Sequence, residues 1–199
     1  MFANSKITGS LSRPTLYPFM LLFTLLVSAL NTGVSAQTYP EEIVLENGRR
    51  FLVGPMNPED LEQGSYQNWY TPGVEQYTPD TPLLKNLKPL LNDVAIQVFL
   101  GTWCGDSRRE VPRFMKLLQS LDYPMEQLQF IGVDRRSEFY KQSPNGEHIG
   151  KNILRVPTFI LLKNGVEIGR IIERPNISLE ADLCDLLSCS PKLPDAQGE

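Results

Sequence analysis

Histidine is almost absent from this chain: His148 is the only one in 199 residues. Cysteine is scarce too, with Cys104, Cys184 and Cys189 the complete set. One imidazole in a polar loop and three scattered thiols do not make a metal-ligand set, so neither a metal nor any other cofactor is expected. Three thiols are also too few for a disulfide scaffold, and the odd count leaves at least one free or pairing between chains. No run of basic residues is present and the formal net charge is −4, so the electrostatic footprint of a nucleic-acid binder is missing. Close approach to an anionic membrane surface is disfavoured for the same reason. The longest apolar run, Leu16 to Leu30, contains Pro18 and falls short of the roughly 20 residues a membrane span needs.

That run has the parts of an export signal. Lys6 and Arg13 form a basic start with no acid, and Val34-Ser35-Ala36 ends it on the small residues a signal peptidase reads. Residues 1–36 are therefore expected to be a signal peptide cut before Gln37, with an uncleaved N-terminal anchor as the other reading. No cysteine follows the small residues, so no lipid attachment is expected. Removing the leader and its two basic residues takes the formal charge from −4 to −6. Residues 37–199 suffice for one domain with a real core, expected to be a monomer in the periplasm or outside the cell, where disulfides persist.

The stretch Phe99 to Ser107 organises what remains. An apolar, β-branched run from Val94 to Leu100 leads into it, and a helical stripe (Val111, Phe114, Met115, Leu118) leads out. Cys104 thus sits where a buried strand hands over to a helix N-terminus, a place whose free N–H groups and dipole favour thiolate over thiol. Arg108 and Arg109 add positive charge and Asp106 opposes it. The bland alternative is a small buried apolar residue, the usual fate of a free cysteine. His148 could pair with this thiol or simply be solvated in its loop.

Elements follow on both sides. Ile43 to Val53 reads as a hairpin around Asn47-Gly48, and Asn57-Pro58-Glu59-Asp60 as a helix start. Tyr66, Trp69, Tyr70 and Tyr77, interleaved with Pro72, Gly73 and Pro79, read as an aromatic loop that packs onto the core or lines a substrate groove. Thr81-Pro82 opens a helix, and Pro112 should kink the one after Cys104. Leu128 to Val133 is a strand, Asp134 to Lys151 a polar connection, and Phe159 to Leu162 and Val166 to Ile172 a hairpin around Lys163-Asn164-Gly165. Ser178 caps a last helix that Pro191 stops. This order implies an α/β fold, a mixed central sheet with helices on both faces. Its parts are an N-terminal extension over residues 37–81, a main domain over 82–190 and a loose tail over 191–199.

Four features then coincide: Trp103-Cys104-Gly105, Pro112 eight residues after Cys104, Val156-Pro157-Thr158, and the turn Lys163-Asn164-Gly165. In this order and spacing the chain resembles the thioredoxin-like superfamily over roughly residues 82–189, with Arg50 to Val53 as a plausible first strand. The resemblance implies a cis bond before Pro157, facing the reactive sulfur and leaving the Val156 backbone to pair with an extended substrate. It also implies that Trp103, Gly105 and Asp106 belong to the substrate surface, and that partners are protein or small-molecule thiols and disulfides.

The departures decide the chemistry. Where the family has its second cysteine this chain has Ser107, so Cys104-Gly105-Asp106-Ser107 cannot close an internal disulfide. Val98 stands where a buried Asp is frequent, and Glu173 where many members carry glycine. A single thiolate at Cys104 could still attack a disulfide, with Ser107 donating a hydrogen bond to it, and the mixed disulfide resolved by the substrate or an external thiol. The alternative is a non-catalytic module that captures extended polypeptide beside Pro157. Cys184 and Cys189 either form a structural disulfide, which requires the last helix to end before Cys189, or stay free.

Overall fold

The computed structural model describes residues 39–189. The expected signal peptide (1–36) and loose tail (191–199) lie outside the described residues. Six strands form one mixed sheet in the order β1-β2-β4-β3-β5-β6. β1 (Glu41–Val44) and β2 (Arg50–Met56) are the arms of the expected hairpin. Gly48 closes its turn with φ +77°, donating its N–H to the Leu45 carbonyl at 2.8 Å. β2 runs antiparallel to β4 (Leu128–Gly132), which runs parallel to β3 (Val94–Leu100). On the other side of β3 come β5 (Thr158–Lys163) and the edge strand β6 (Val166–Ile172), both antiparallel to their neighbours.

Among the described residues the four α-helices are α1 (Gln67–Gln76), α2 (Thr81–Leu87), α3 (Gly105–Ser120) and α4 (Leu179–Leu187). All four send apolar side chains into one core: Tyr70, Leu87, Phe114, Leu118 and Leu183 meet Ile96, Val98, Leu100, Phe130 and Phe159 of the sheet. The alternation of side chains along β3 turns Phe99 to the opposite face, where it joins Ile131, Ile160, Val133, Ile153 and Val156. Residues 133–157 cover that face, with one short 3-10 turn at Ser137–Phe139. The sheet is mixed, as the element order implied, but the helices expected on both faces pack on one, and the polar connection read over residues 134–151 layers the other. The connection carries Asp134, Arg135, Arg136, Glu138, Lys141 and Glu147, and lacks the apolar stripe an amphipathic helix needs.

The aromatic segment is the second departure: residues 67–76 are helical rather than a loop. Tyr70 is buried, and Trp69, Val74 and Tyr77 pack against the core beside it. Pro72 lies inside this helix and Gly73 follows it. A Cβ on Gly73 would sit 2.6 Å from Cγ of Pro112 in α3, so the missing side chain is what lets α1 lie against α3. The segment from Pro58 to Glu62 is a 3-10 turn, with Asp60 accepting from the Asn57 N–H at 2.8 Å.

Candidate functional site

The strand-to-helix loop after β3 is pinned from several sides. Gly101 donates its N–H to Ser107 Oγ at 3.1 Å, and Cys104 donates its own to the Gly101 carbonyl at 2.8 Å. Thr102 is buried; its Oγ1 accepts the Leu52 N–H of β2 at 3.0 Å and its carbonyl accepts Arg108 Nε at 2.7 Å. Trp103 Nε1 donates to the Val133 carbonyl at 2.9 Å. The indole crosses Gly101 so closely that a Cβ there would lie 2.7 Å from the ring. Thr102 escaped the sequence reading because its partner, Leu52, is 50 residues away. The only sequence signal was a hydroxyl between an apolar strand and the Trp-Cys pair.

Cys104 is the N-cap of α3, half-buried, and the free cysteine of the chain. Its thiol donates to the Val156 carbonyl at 3.3 Å. The bond joining Val156 to Pro157 is cis. The Pro157 carbonyl in turn accepts the Glu173 N–H at 2.7 Å. Glu173 has φ +62°, the left-handed region that glycine enters without cost and other residues enter with strain. Its carboxylate pairs with Arg155 across the proline loop.

Ser107 is fully buried and its hydroxyl oxygen serves Gly101. Among the described residues no hydrogen bond joins it to Cys104. Gly105 is exposed, and Asp106 binds Arg109 at 2.6 Å. Arg109 also binds the buried Glu110 at 2.6 Å; the bonds to Glu110 and then Asp106 hold its guanidinium above the usual arginine range. Its charge is therefore compensated within the first turn of α3, while Arg108 is held by Thr102 and lies 6.0 Å over the Trp69 ring. Val98 sits in the core between Phe130 and Phe159. His148 does not join Cys104: its Nδ1 accepts the Ser143 N–H at 3.0 Å and its own N–H reaches Ser143 Oγ. It lines a cleft of about 460 Å³ with Asp134, Arg136 and Phe139.

Cys184 and Cys189 are joined as a disulfide with Cα atoms 4.7 Å apart. The helix ends at Leu187, Ser188 turns left-handed with φ +56°, and the Cys189 N–H reaches back to the Cys184 carbonyl at 2.9 Å. This C-terminal cap brings the two residues together. Joined to each other, they offer no thiol to Cys104.

The sequence of this chain has matches among known proteins. Mitochondrial thioredoxin-3 of Saccharomyces cerevisiae is 32% identical over 126 residues, spanning 63% of this chain and 89% of that protein. The chain belongs to the thioredoxin family. A second thioredoxin, H9 of Arabidopsis thaliana, is 27% identical over 101 residues, 51% of this chain and 65% of its own length. The solved structure of oxidised yeast mitochondrial thioredoxin 3 aligns over 57% of this chain and 98% of its own, at 28% identity and a TM-score of 0.34. No family model matches the chain. Among the features of this thioredoxin-family chain, Ser107 and the Cys184–Cys189 bond leave Cys104 as its free thiol.

Proposed function

We propose that this protein is an exported thiol–disulfide exchange protein working through Cys104 alone. Membership in the thioredoxin family supports redox chemistry at thiols and disulfides. The observation that carries the finer reading is the half-buried Cys104 thiol, 3.3 Å from the carbonyl that precedes the cis Val156–Pro157 bond. The thiolate attacks a disulfide, a mixed disulfide forms at Cys104, and one thiolate leaves and takes a proton from water. Ser107 supplies no second sulfur, so the adduct is resolved by the substrate's other thiol or by an external one. Extended polypeptide pairing with the Val156 backbone would make the site tolerant of substrate sequence. Localisation rests on the leader pattern of residues 1–36.

The test follows the adduct. Intact mass after exposure to a model disulfide should show one adduct on the native protein and none on Cys104→Ser. In Ser107→Cys the adduct should collapse as a bond closes between positions 104 and 107. Absence of any adduct on the native protein ends this reading. A second reading, a non-catalytic module capturing extended polypeptide, is favoured by Val98 in the core and by Ser107 bonded away from the sulfur. It requires capture that survives Cys104→Ala.

A further inference from the structure

A cleft of about 630 Å³ opens beside Trp103, the neighbour of Cys104. Arg49 and Arg50 reach it from the β1–β2 hairpin, Arg108 from the first turn of α3, and Arg135 from the connection after β4. Ser65 and the Trp103 indole complete its wall, and no acidic residue lines it. Arg50 is paired with Glu42 at 2.8 Å. Among the described residues no carboxylate forms an ion pair with Arg49, Arg108 or Arg135. Arg135 lies 5.9 Å over the Trp103 ring. In a chain with a net charge of −4, three guanidinium groups with no carboxylate partner among the described residues share one concavity lined by Trp103, the residue before Cys104. Like charges brought together from three parts of the chain repel one another, so the arrangement is stabilised by whatever anion enters.

We propose that this cleft holds the carboxylates of a small anionic disulfide while Cys104 attacks its sulfur. The proposal rests on the exchange reading above and names the substrate class for it. Guanidinium groups bind carboxylates in pairs of parallel hydrogen bonds, and the cleft falls within the roughly 300–1,000 Å³ typical of small-molecule sites. In the step, the Cys104 thiolate forms a new bond to one substrate sulfur, the old S–S bond breaks, and the departing thiolate takes up a proton. The protein thiol is oxidised to a mixed disulfide and half of the substrate is reduced to a thiol.

The experiment compares two probes on the full chain with Cys104 reduced: oxidised glutathione, which carries carboxylates and is net negative, and the neutral bis(2-hydroxyethyl) disulfide. Their leaving thiols differ, so the quantity read is the ratio of the two second-order rates by intact mass. In Arg49→Ala/Arg135→Ala that ratio should fall about tenfold, and in the native protein it should shrink as salt rises. Arg49→Lys/Arg135→Lys should retain part of it. An unchanged ratio overturns the cleft. Failure of both probes to form an adduct on the native protein overturns the exchange reading itself.

Discussion

Thr102 shows how one residue can hold the Cys104 loop in place. Its Oγ1 is the acceptor for the Leu52 N–H, and its carbonyl is the acceptor for Arg108 Nε, so β2, the Cys104 loop and α3 meet at this residue. Replacing the hydroxyl by a methyl keeps the shape but leaves a buried N–H without a partner. Thr102→Val should therefore cost about 1–3 kcal/mol in urea unfolding, more than its small change in volume would suggest. A variant as stable as the native protein would mean the Leu52 bond contributes nothing. At this scale the sequence was legible wherever a residue's own chemistry announced its role. Cys104, the Trp103-Cys104-Gly105 run and Pro157 stood out by type and spacing, and the Cys104 thiol does meet the carbonyl that precedes the cis bond to Pro157. Thr102 and the arginine cleft did not stand out, because their meaning lies in partners brought from distant parts of the chain. Ser107 was legible as a missing thiol, but its hydroxyl turned out to accept from Gly101 instead of serving the sulfur.

Elements were legible where periodicity and turn residues agreed. Both hairpins, the strand into Cys104 and the long helix out of it satisfy that condition. The segment from Gln67 to Gln76 does not, since Pro72 and Gly73 point to a loop while Tyr66, Trp69, Tyr70, Val74 and Tyr77 recur at helical spacing. Tertiary contact decides between the two: the glycine is where α1 meets Pro112 of α3. Two effects then compete in Gly73→Ala. Helix propensity favours alanine by about 1 kcal/mol. Against it, the new Cβ would lie 2.6 Å and 2.8 Å from two atoms of a rigid proline ring, and overpacking of this kind costs typically about 1–3 kcal/mol. The balance is destabilising, so Gly73→Ala should lower the melting temperature. Thr71→Ala, exposed on the same helix, should hold or raise it. A rise in both would show that α1 is free to move off α3.

Across the whole molecule, four phenols link the fold to pH. Burial, the largest effect on each, raises Tyr66, Tyr70, Tyr77 and Tyr123 well above the ordinary value of 10.0. Hydrogen bonds from Tyr66 to Glu42 and from Tyr77 to Glu180 push in the same direction, because ionising those phenols would set two anions together. A group whose folded value is raised keeps its proton in the native state after the unfolded chain has lost it. Stability from these four residues is therefore complete below pH 10 and is lost as pH rises through the folded values. Each contributes at most about 1.4 kcal/mol per pH unit in that window, so four together can exhaust a marginal stability within a narrow range. Alkaline unfolding should be cooperative, with the tyrosinate absorbance of these four residues appearing together with the loss of far-ultraviolet dichroism. Tyr70 is the sharpest probe, since its hydroxyl meets no protein partner among the described residues. Tyr70→Phe removes one proton from the linkage and should move the transition to higher pH without weakening the fold at neutral pH. If tyrosinate instead appears well before the dichroism changes, the phenols ionise inside an intact fold, and burial is not what holds their protons.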